Sequence, residues 1–416
     1  MQQEQIEVRK LKGYEIAKIS RIEKTSKGWK VPSQSGHGFY IVESNGFEAK
    51  CNCPDHEVRQ CKCKHLWAVE FIVTKQIDQE GNVTITQTVR KSYSQNWSAY
   101  TTAQTNEQIL FVKLLADLCK NVEQPKYDFG RPLIPYSDMV FASALKVYST
   151  FSLRRFCSLM VSAKEKGYIE KSCCYVTVSN FMRNPKITPI LHELIKLSSL
   201  PLASVEEKFA VDSSGFSTSR FARYYSYKHG KDRKYKVWIK AHLISGTKTN
   251  IVTGAEISED YDNDSPFFKP LVEKTNENFT IKEVSADKAY SSRDNHNLID
   301  SYGRVPYIPF KSNATGRSDG SYTWKRMFHL FQFNREQFLE HYHLRSNSET
   351  VFHMIKAKFK DNLRSKDKTA QINEVLLKVL CHNLCCLIQE MHELGINPQL
   401  CLKSGGGVKK VDEKQD

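Results

Sequence analysis

The chain has 416 residues, of which 40% are hydrophobic, and its 61 Lys and Arg outnumber its 46 Asp and Glu to give a formal net charge of +15. This composition excludes a disordered chain, and the length favours two or three domains over one. The basic surplus predicts a polyanionic partner, nucleic acid before others. The sequence lacks a signal-peptide pattern and an evident bilayer-spanning run, so we expect a soluble cytoplasmic protein without a membrane partner.

The first predicted domain, residues 1–80, combines a strand-like GFYIVE segment, a cysteine cluster and a helical apolar pattern in HLWAVEFIVTK. The cluster contains Cys51-x-Cys53 followed by Cys63-x-His65. Three thiolates and an imidazole can close a tetrahedral structural Zn²⁺ site, and the metal would stabilise a module with a small core.

Two nearby side chains, Cys61 and His56, are alternative ligands, while free thiols in a cytosolic loop fit this clustering poorly. The pattern over residues 38–75 resembles the SWIM-type zinc finger. That resemblance implies binding to DNA or to protein.

Residues 81–105 are polar and rich in Ser and Thr, which predicts a linker or an exposed strand and a domain boundary near residue 95. From 106 to 204 the apolar residues recur at helical spacing. Two of these helices flank Gly167 and form a helix-turn-helix candidate for DNA binding. An ordinary helical bundle explains the same pattern equally well.

Residues 205–400 contain β-rich runs followed by helical patterns and predict an α/β domain, and residues 401–416 predict a disordered tail. Asp212 follows the strand-like run KFAV, and Asp287 follows KEVSA. Each aspartate is therefore expected at the end of a strand. Either one alone is more often a simple turn residue.

A third acid, Glu349, lies in the helix predicted for YHLRSNSETVFHMIKAKF. Strand ends and an adjacent helix can converge, and three converging carboxylates repel one another unless cations lie between them. Mg²⁺, or Mn²⁺, suits such oxygen ligands. Two ions about 3.5–4 Å apart would activate water or a DNA 3′-hydroxyl and stabilise the leaving oxygen of a phosphodiester.

The same helix places Tyr342, Arg345, Glu349 and Lys356 at helix-face spacing. If Glu349 binds metal, Arg345 and Lys356 would face phosphates and Tyr342 would stack or hydrogen-bond on DNA. A solvated face with an Arg–Glu pair is the alternative.

The spacing Tyr-x2-Arg-x3-Glu-x6-Lys in YHLRSNSETVFHMIK resembles the signature of DDE transposases from prokaryotic insertion sequences. SADKAY is similar to their second-aspartate motif, AVDSSG with KYKVWIKAHLI is similar to the first-aspartate region, and the resemblance covers roughly residues 125–400. It implies a ribonuclease H-like catalytic domain, a mixed sheet flanked by helices, preceded by a helical DNA-binding region. Asp212, Asp287 and Glu349 would bind the metal ions.

The resemblance further implies a homodimer on double-stranded DNA, in the nucleoid, that cuts at terminal inverted repeats and joins the 3′-hydroxyls to a target. Tyr342, Arg345 and Lys356 would contact the transposon ends. The short connection between Asp287 and Glu349 leaves little room for the β-rich insertion with which some relatives stabilise a hairpinned end.

Basic residues with interleaved tyrosines follow Asp212 and predict contacts to phosphates and bases, although a solvated loop is the ordinary explanation. They are Arg220, Arg223, Lys228, Lys231, Arg233, Lys234, Lys236, Lys240 and Lys248. We therefore predict a metal-dependent transposase. A non-transposing nuclease and a domesticated DNA-binding protein of the same fold are the alternatives.

Overall fold

The computed structural model describes residues 2–26, 28–34, 38–44, 49–59, 61–77, 83–87, 96–126, 129–130, 133–218, 238–259 and 262–401. The chain divides into two compact units, Met1–Gln95 and Asn96–Asp416.

The first unit packs helices against a small antiparallel sheet of β1 to β4. Its described elements are α1 (Gln2–Ile19), β1 (Glu23–Thr25), β2 (Gly28–Pro32), β3 (Phe39–Ser44), β4 (Ala49–Cys51), α2 (Pro54–Arg59), α3 (Lys64–Ile72), β5 (Val73–Ile77) and β6 (Val83–Gln87). The helical pattern predicted in HLWAVEFIVTK ends at Ile72, because the β-branched Val73 and Thr74 begin a strand that pairs with β6.

Helix α1 lies directly against α3, and the contact depends on a glycine. A Cβ atom at Gly13 would come within 2.5 Å of Trp67 Cβ and 2.8 Å of the Lys64 carbonyl oxygen. Only a residue without a side chain allows this approach. Ile16, Val31, Val42 and Leu66 fill the core behind it, so the unit has its own hydrophobic centre.

The second unit is an α/β structure that begins with helices. Its described elements are α4 (Trp97–Cys119), α5 (Tyr136–Ser149), α6 (Leu153–Glu165), α7 (Tyr175–Met182), α8 (Ile187–Ser199), β7 (Lys208–Ser217), β8 (Trp238–Gly246), β9 (Val252–Glu259), α9 (Ser265–Asn276), β10 (Glu283–Ala286), α10 (Arg293–Ser301), β11 (Val305–Tyr307), α11 (Tyr322–Phe333), α12 (Arg335–Tyr342), α13 (Ser346–Phe359) and α14 (Lys368–Glu393).

Helix α4 starts at Trp97, inside the segment predicted as a linker. The Asn96 side chain accepts a hydrogen bond from Ala99 N at 3.2 Å and so caps the helix. The Thr102 and Thr105 hydroxyls donate to carbonyls four residues earlier, each at 2.9 Å. The polar side chains thus bond to their own helix while alanines form the buried face, a pattern that an apolar period does not reveal.

The sheet of this unit has the strand order β11-β10-β7-β8-β9. Strands β7, β8 and β9 form an antiparallel meander, and β10 is parallel to both β7 and β11. The result is a mixed sheet with β7 at its centre. Residues 288–348, between Asp287 and Glu349, form helices, loops and the single strand β11, so they contain no β-rich insertion.

Helices cover both faces of the sheet. Phe209, Val211 and Ile244 on one face pack against Phe268 and Leu271 of α9. On the other face, Phe216 and Leu243 share one continuous core with α13, α14 and the helices α4 to α8. The helical region predicted as a separate domain over 106–204 therefore packs on the sheet of the domain that follows it.

Helix α6 and helix α7, the helix-turn-helix candidate, belong to this shared core through Phe156, Met160, Val178 and Met182. Gly167 has a φ of 73° and lets the chain leave α6 in a left-handed conformation. The two helices thus both contribute residues to the shared core, and their role in DNA binding stays a prediction.

Helix α14 is long and apolar enough to cross a membrane by length and composition, but 83% of its most apolar window is buried inside the protein. It is the central helix of the shared core. Asn383, fully buried, donates from Nδ2 to the Val252 carbonyl at 2.7 Å and accepts from Val252 N at 2.9 Å. It also donates to Ser198 Oγ at 2.9 Å, which joins α14 to β9 and α8.

Candidate active site and metal centre

Asp212 and Asp287 lie at the same level on neighbouring parallel strands. Ala286 of β10 pairs with Val211 of β7, and the next residue in each strand direction is an aspartate. Adjacent strands are separated by about 4.8 Å, and residues at matching register share a face. The backbones of the two aspartates are therefore neighbours.

Asp212 does not end its strand, contrary to the sequence prediction. Strand β7 continues to Ser217 because β8 pairs with it along its whole second half. Strand β10 does end at Ala286, and Asp287 accepts a hydrogen bond from Lys288 N at 2.6 Å. Asp212 thus lies where β7 loses its parallel neighbour.

The predicted helix over 342–359 is divided. Helix α12 ends at Tyr342, a 3-10 turn covers His343–Arg345, and α13 begins at Ser346. Glu349 then lies in the first turn of α13. The turn directs Arg345 and Ser348 onto Asp212 of β7.

Arg345 bridges two of the predicted acids. Its Nη2 lies 3.2 Å from Asp212 Oδ2, and its Nη1 lies 2.7 Å from Glu349 Oε1. The other contacts of Asp212 come from Ser348 Oγ at 3.3 Å and Ser213 N at 2.9 Å. Burial raises the pKa of Asp212, against the lowering effect of Arg345. The aspartate is held in a confined and charge-balanced position.

The pKa of the Tyr342 phenol is affected by Arg345 and by all three predicted acids. Burial raises the pKa of its phenol, Arg345 lowers it, and the charges of Asp287, Asp212 and Glu349 all raise it further. The three carboxylates therefore lie within electrostatic range of one half-buried phenol. Residues far apart in the sequence thus act on the charge of one phenol, and their shared metal site stays a prediction.

Two of the predicted DNA-contacting lysines that the structure describes, Lys356 and Lys240, have different environments. Lys356 donates to Ser214 Oγ at 2.6 Å and lies 5.3 Å from the centre of the Phe216 ring, on the same face of β7 as Asp212. Burial lowers its pKa. Lys240 instead forms an ion pair with Asp264. Lys236, together with the cations and tyrosines from Arg220 to Tyr235, lies outside the described residues.

Behind Asp212 lies a group of side chains in which sequence reasoning missed Asp264 and Ser258. Asp264 accepts from Ser213 Oγ at 3.1 Å, and His242 Nε2 is 2.8 Å from Ser258 Oγ. Burial lowers the pKa of His242 to about 4, so it is neutral at pH 7. Asp264 directly precedes α9, a capping position that the DNDSP stretch could have signalled.

In the first unit, Cys51, Cys53, Cys63 and His65 form a closed cluster. Their ligand atoms all lie within 4.8 Å of one another, and all four residues are buried. His65 Nδ1 is 3.8 Å from Cys51 Sγ and 3.9 Å from Cys63 Sγ. Zinc–sulfur and zinc–nitrogen bonds of about 2.3 and 2.0–2.1 Å in a tetrahedron require ligand separations of roughly 3.5–3.8 Å, so the donor set fits this ion.

The alternative ligands lie apart from this cluster. His56 Nδ1 is 2.7 Å from the Cys61 carbonyl oxygen, and Cys61 Sγ is 3.9 Å from the Asp55 carbonyl oxygen.

A hydrogen bond from Cys51 lowers the pKa of the Cys63 thiol to about 3. The same bond and burial raise the pKa of Cys51.

Carboxylate oxygens such as those of Asp212, Asp287 and Glu349 are ligands of the kind that Mg²⁺ prefers. Residues 203–384 match the family model of the transposase DDE domain. The matched segment contains all three acids with Arg345 and Lys356. This match supports, in general terms, a DDE transposase. Such a domain implies a metal-dependent nuclease or transposition activity with DNA as the partner. No solved structure matches the chain.

Proposed function

We propose that the protein is the transposase of a prokaryotic insertion sequence. It binds the terminal inverted repeats, cleaves phosphodiester bonds there and transfers the 3′-hydroxyl ends to target DNA. The observation that carries this proposal is the register of β7 and β10, which sets Asp212 beside Asp287, together with the Arg345 contacts to Asp212 and Glu349.

The three acids offer hard oxygen donors around one cation, the Arg345 guanidinium, and we call this group of four residues the acidic pocket. This donor set fits Mg²⁺ or Mn²⁺. When bound, two such ions activate a water or a 3′-hydroxyl and stabilise the leaving oxygen. Because Arg345 occupies Asp212 Oδ2 and Glu349 Oε1, we infer that it turns to a DNA phosphate when these oxygens bind metal.

The side chains around the pocket would position the DNA strand. Lys356, one to two turns beyond Glu349 on α13, presents a charge on the same face of β7 as Asp212. Tyr342, half-buried beside the acids, offers a ring and a hydroxyl to an unpaired base or a phosphate. We assign both to the transposon end.

The architecture supports a ribonuclease H-like assignment for the catalytic domain. An antiparallel meander of β7, β8 and β9 is extended in parallel by β10 and β11. Of the proposed metal ligands, Asp212 lies on the central strand β7 and Asp287 directly follows the neighbouring strand β10. We assign the protein to the cytoplasm, at the nucleoid, and propose that it acts as a homodimer on double-stranded DNA.

For the first unit we propose a SWIM-type zinc finger, with Zn²⁺ held by Cys51, Cys53, Cys63 and His65. The buried S₃N donor set and its separations support this ion. The exposed surface of the unit would then contact DNA or a protein partner.

Cleavage of a duplex that carries the terminal repeats of the element, with Mg²⁺ or Mn²⁺, tests the proposal. Asp212→Asn, Asp287→Asn and Glu349→Gln should each abolish cutting while DNA binding persists. Asp294→Asn, which neutralises an exposed acid at the start of α10, should leave cutting unchanged. Cutting at the wild-type rate by any one of the first three variants would contradict the triad.

A strand-joining assay separates the alternatives. Cutting without joining to a target would identify a nuclease of the same fold. Repeat-specific binding without any cutting would identify a DNA-binding protein. The transposase proposal requires both cutting and joining.

A further inference from the structure

A basic cleft lies at the far end of α13 from the acidic pocket. It has a volume of about 790 Å³ and is bounded by the start of α6 and by the loop 360–367. The cations that line it are Lys146, Arg155, Arg183, Lys360, Arg364 and Lys366. Asp367 is the one acid among its lining residues, and its carboxylate is already used to cap α14 through Ala370 N at 3.0 Å. The cleft is therefore strongly positive.

The loop 360–367, which forms one wall of the cleft, is held by hydrogen bonds from buried side chains of α14. The buried Glu374 carboxylate accepts from Arg364 N at 3.0 Å and from Ser365 N at 2.8 Å. The buried Lys378 ammonium donates to the Lys360 carbonyl at 2.8 Å. These bonds fix the backbone that carries the basic side chains, so the wall is preorganised for a ligand.

Lys146 is the strongest sign that the cleft takes an anion. Its side chain lines the cleft although the residue is only 5% exposed. The buried Glu374 carboxylate is the negative charge that acts on it, and that carboxylate also accepts from Arg364 N and Ser365 N. The six lining cations outnumber Glu374 and Asp367, and an anion in the cleft would compensate the surplus of positive charge.

Two helix N-termini add to the positive potential. Ser152, which caps α6 by accepting from Arg155 N at 3.4 Å, and Asp367, which caps α14, both line the cleft. The positive ends of these helices favour phosphate at the same place.

The cleft is connected rigidly to the acidic pocket. Leu363 N donates to the Ser217 carbonyl at 2.8 Å, which ties the loop to the end of β7, the strand that carries Asp212. Helix α13 leads from Arg345 to the loop over a length of roughly 20 Å at 1.5 Å per residue. At 3.4 Å per base pair this length corresponds to about six base pairs, roughly half a turn of DNA.

We propose that this cleft binds the sugar-phosphate backbone of double-stranded DNA, about half a helical turn from the strand in the acidic pocket. The proposal rests on the proposed function for the identity of the DNA and extends it with a second, sequence-independent contact region. A row of cations and a fixed loop fit a repeated phosphate better than a single small anion.

The test is the salt dependence of binding to a duplex of unrelated sequence, without divalent metal so that no cutting occurs. The variant Arg155→Ala, Arg183→Ala, Lys366→Ala changes three exposed side chains of the cleft. Each lost phosphate contact should reduce the slope of log K against log salt by about 0.9, and the three together by up to about 2.7. Unchanged thermal unfolding would show that the fold is intact.

Two matched variants complete the design. Lys113→Ala, Lys269→Ala, Lys325→Ala removes three exposed charges outside the cleft and should keep the wild-type slope. Arg155→Lys, Arg183→Lys, Lys366→Arg retains the charges of the cleft and should also keep it.

If the variant with three alanines in the cleft keeps the wild-type slope, the proposal is wrong. It is also wrong if the variant with three alanines outside the cleft loses as much of the slope. Weaker binding of inorganic phosphate with unchanged duplex binding would overturn the choice of DNA as the ligand. If the wild-type protein cuts no DNA but the slope depends on the cleft, the catalytic proposal fails and the cleft assignment stands.

Discussion

Arg345 and Asp212 form an ion pair, with Nη2 3.2 Å from Oδ2, while the second terminal nitrogen of the same guanidinium lies 2.7 Å from Glu349 Oε1. The planar fork of arginine can reach two acids at once, which a lysine ammonium does less well. Arg345, one residue of the Tyr-Arg-Glu-Lys series, thus connects the central strand β7 to helix α13.

The first prediction concerns the stability of this pair. Without divalent metal, Arg345→Ala should lower the free energy of unfolding by about 1–3 kcal/mol, because it leaves the Asp212 carboxylate buried without its cation. The loss caused by Arg345→Ala should be smaller in the Asp212→Asn background. The stability of Arg345→Lys should lie between those of the wild type and Arg345→Ala. Denaturant unfolding of the four proteins of the double-mutant cycle measures the coupling. Equal losses in both backgrounds would show that the pair is not coupled.

The second prediction concerns zinc. The purified protein should contain about one zinc ion per chain, and Cys53→Ser should lose it, because a structural site needs four ligands. Cys61→Ser should keep it, since Cys61 Sγ lies outside the cluster. Metal analysis checks the content. Limited proteolysis after chelation should cleave Met1–Gln95 while the second unit persists, and zinc retained by Cys53→Ser would contradict the ligand set.

The third prediction concerns the buried amide of α14. Asn383→Ala should destabilise the protein by about 2–4 kcal/mol, because it leaves both backbone groups of Val252 without their buried partner. Gln389→Ala on the same helix removes only an exposed bond to Glu393 and should cost under about 1 kcal/mol. Thermal unfolding compares the two. Similar losses would assign no special role to the buried network.

The fourth prediction concerns pH. Burial raises the pKa of Glu390 to about 7 from an ordinary value of 4.5, with Glu393 and Glu206 adding to the effect and Lys248 opposing it. The folded protein thus keeps a proton that the unfolded chain releases. The stabilisation is fully present below about pH 4.5 and is lost as the pH rises through about 7.

Glu390→Gln removes this titration. From pH 5 to pH 8 the wild-type protein should lose about 2–3 kcal/mol more stability than the variant. Denaturant unfolding at both pH values measures the difference. Glu336→Gln, at an exposed position of α12, should behave as the wild type. A pH profile that Glu390→Gln leaves unchanged would refute the assignment.

Local chemistry explains where prediction from the sequence succeeded. The strand segments EVSA and WIKAHLI and the helix YSDMVFASALKVYS formed as expected, because their apolar periods match the faces that they bury. The polar start of α4 was missed because threonine hydroxyls that bond back to their own helix leave no apolar signal. The strand after Asp212 was missed because serine and glycine have low strand propensity and are extended here only by pairing with β8.

The sequence alone determined the types of residue and their spacing. These are three separate acids, the Tyr-Arg-Glu-Lys series, a cluster of three thiols and one imidazole, and a basic surplus. Only the tertiary structure decided that a parallel register puts Asp212 beside Asp287, that Arg345 lies between Asp212 and Glu349, and that Lys240 is neutralised by Asp264. The basic cleft belongs to this second group, because its walls come from segments some two hundred residues apart. Such arrangements depend on long-range packing, whose free energy is shared by the whole core and is not encoded in any one stretch of sequence.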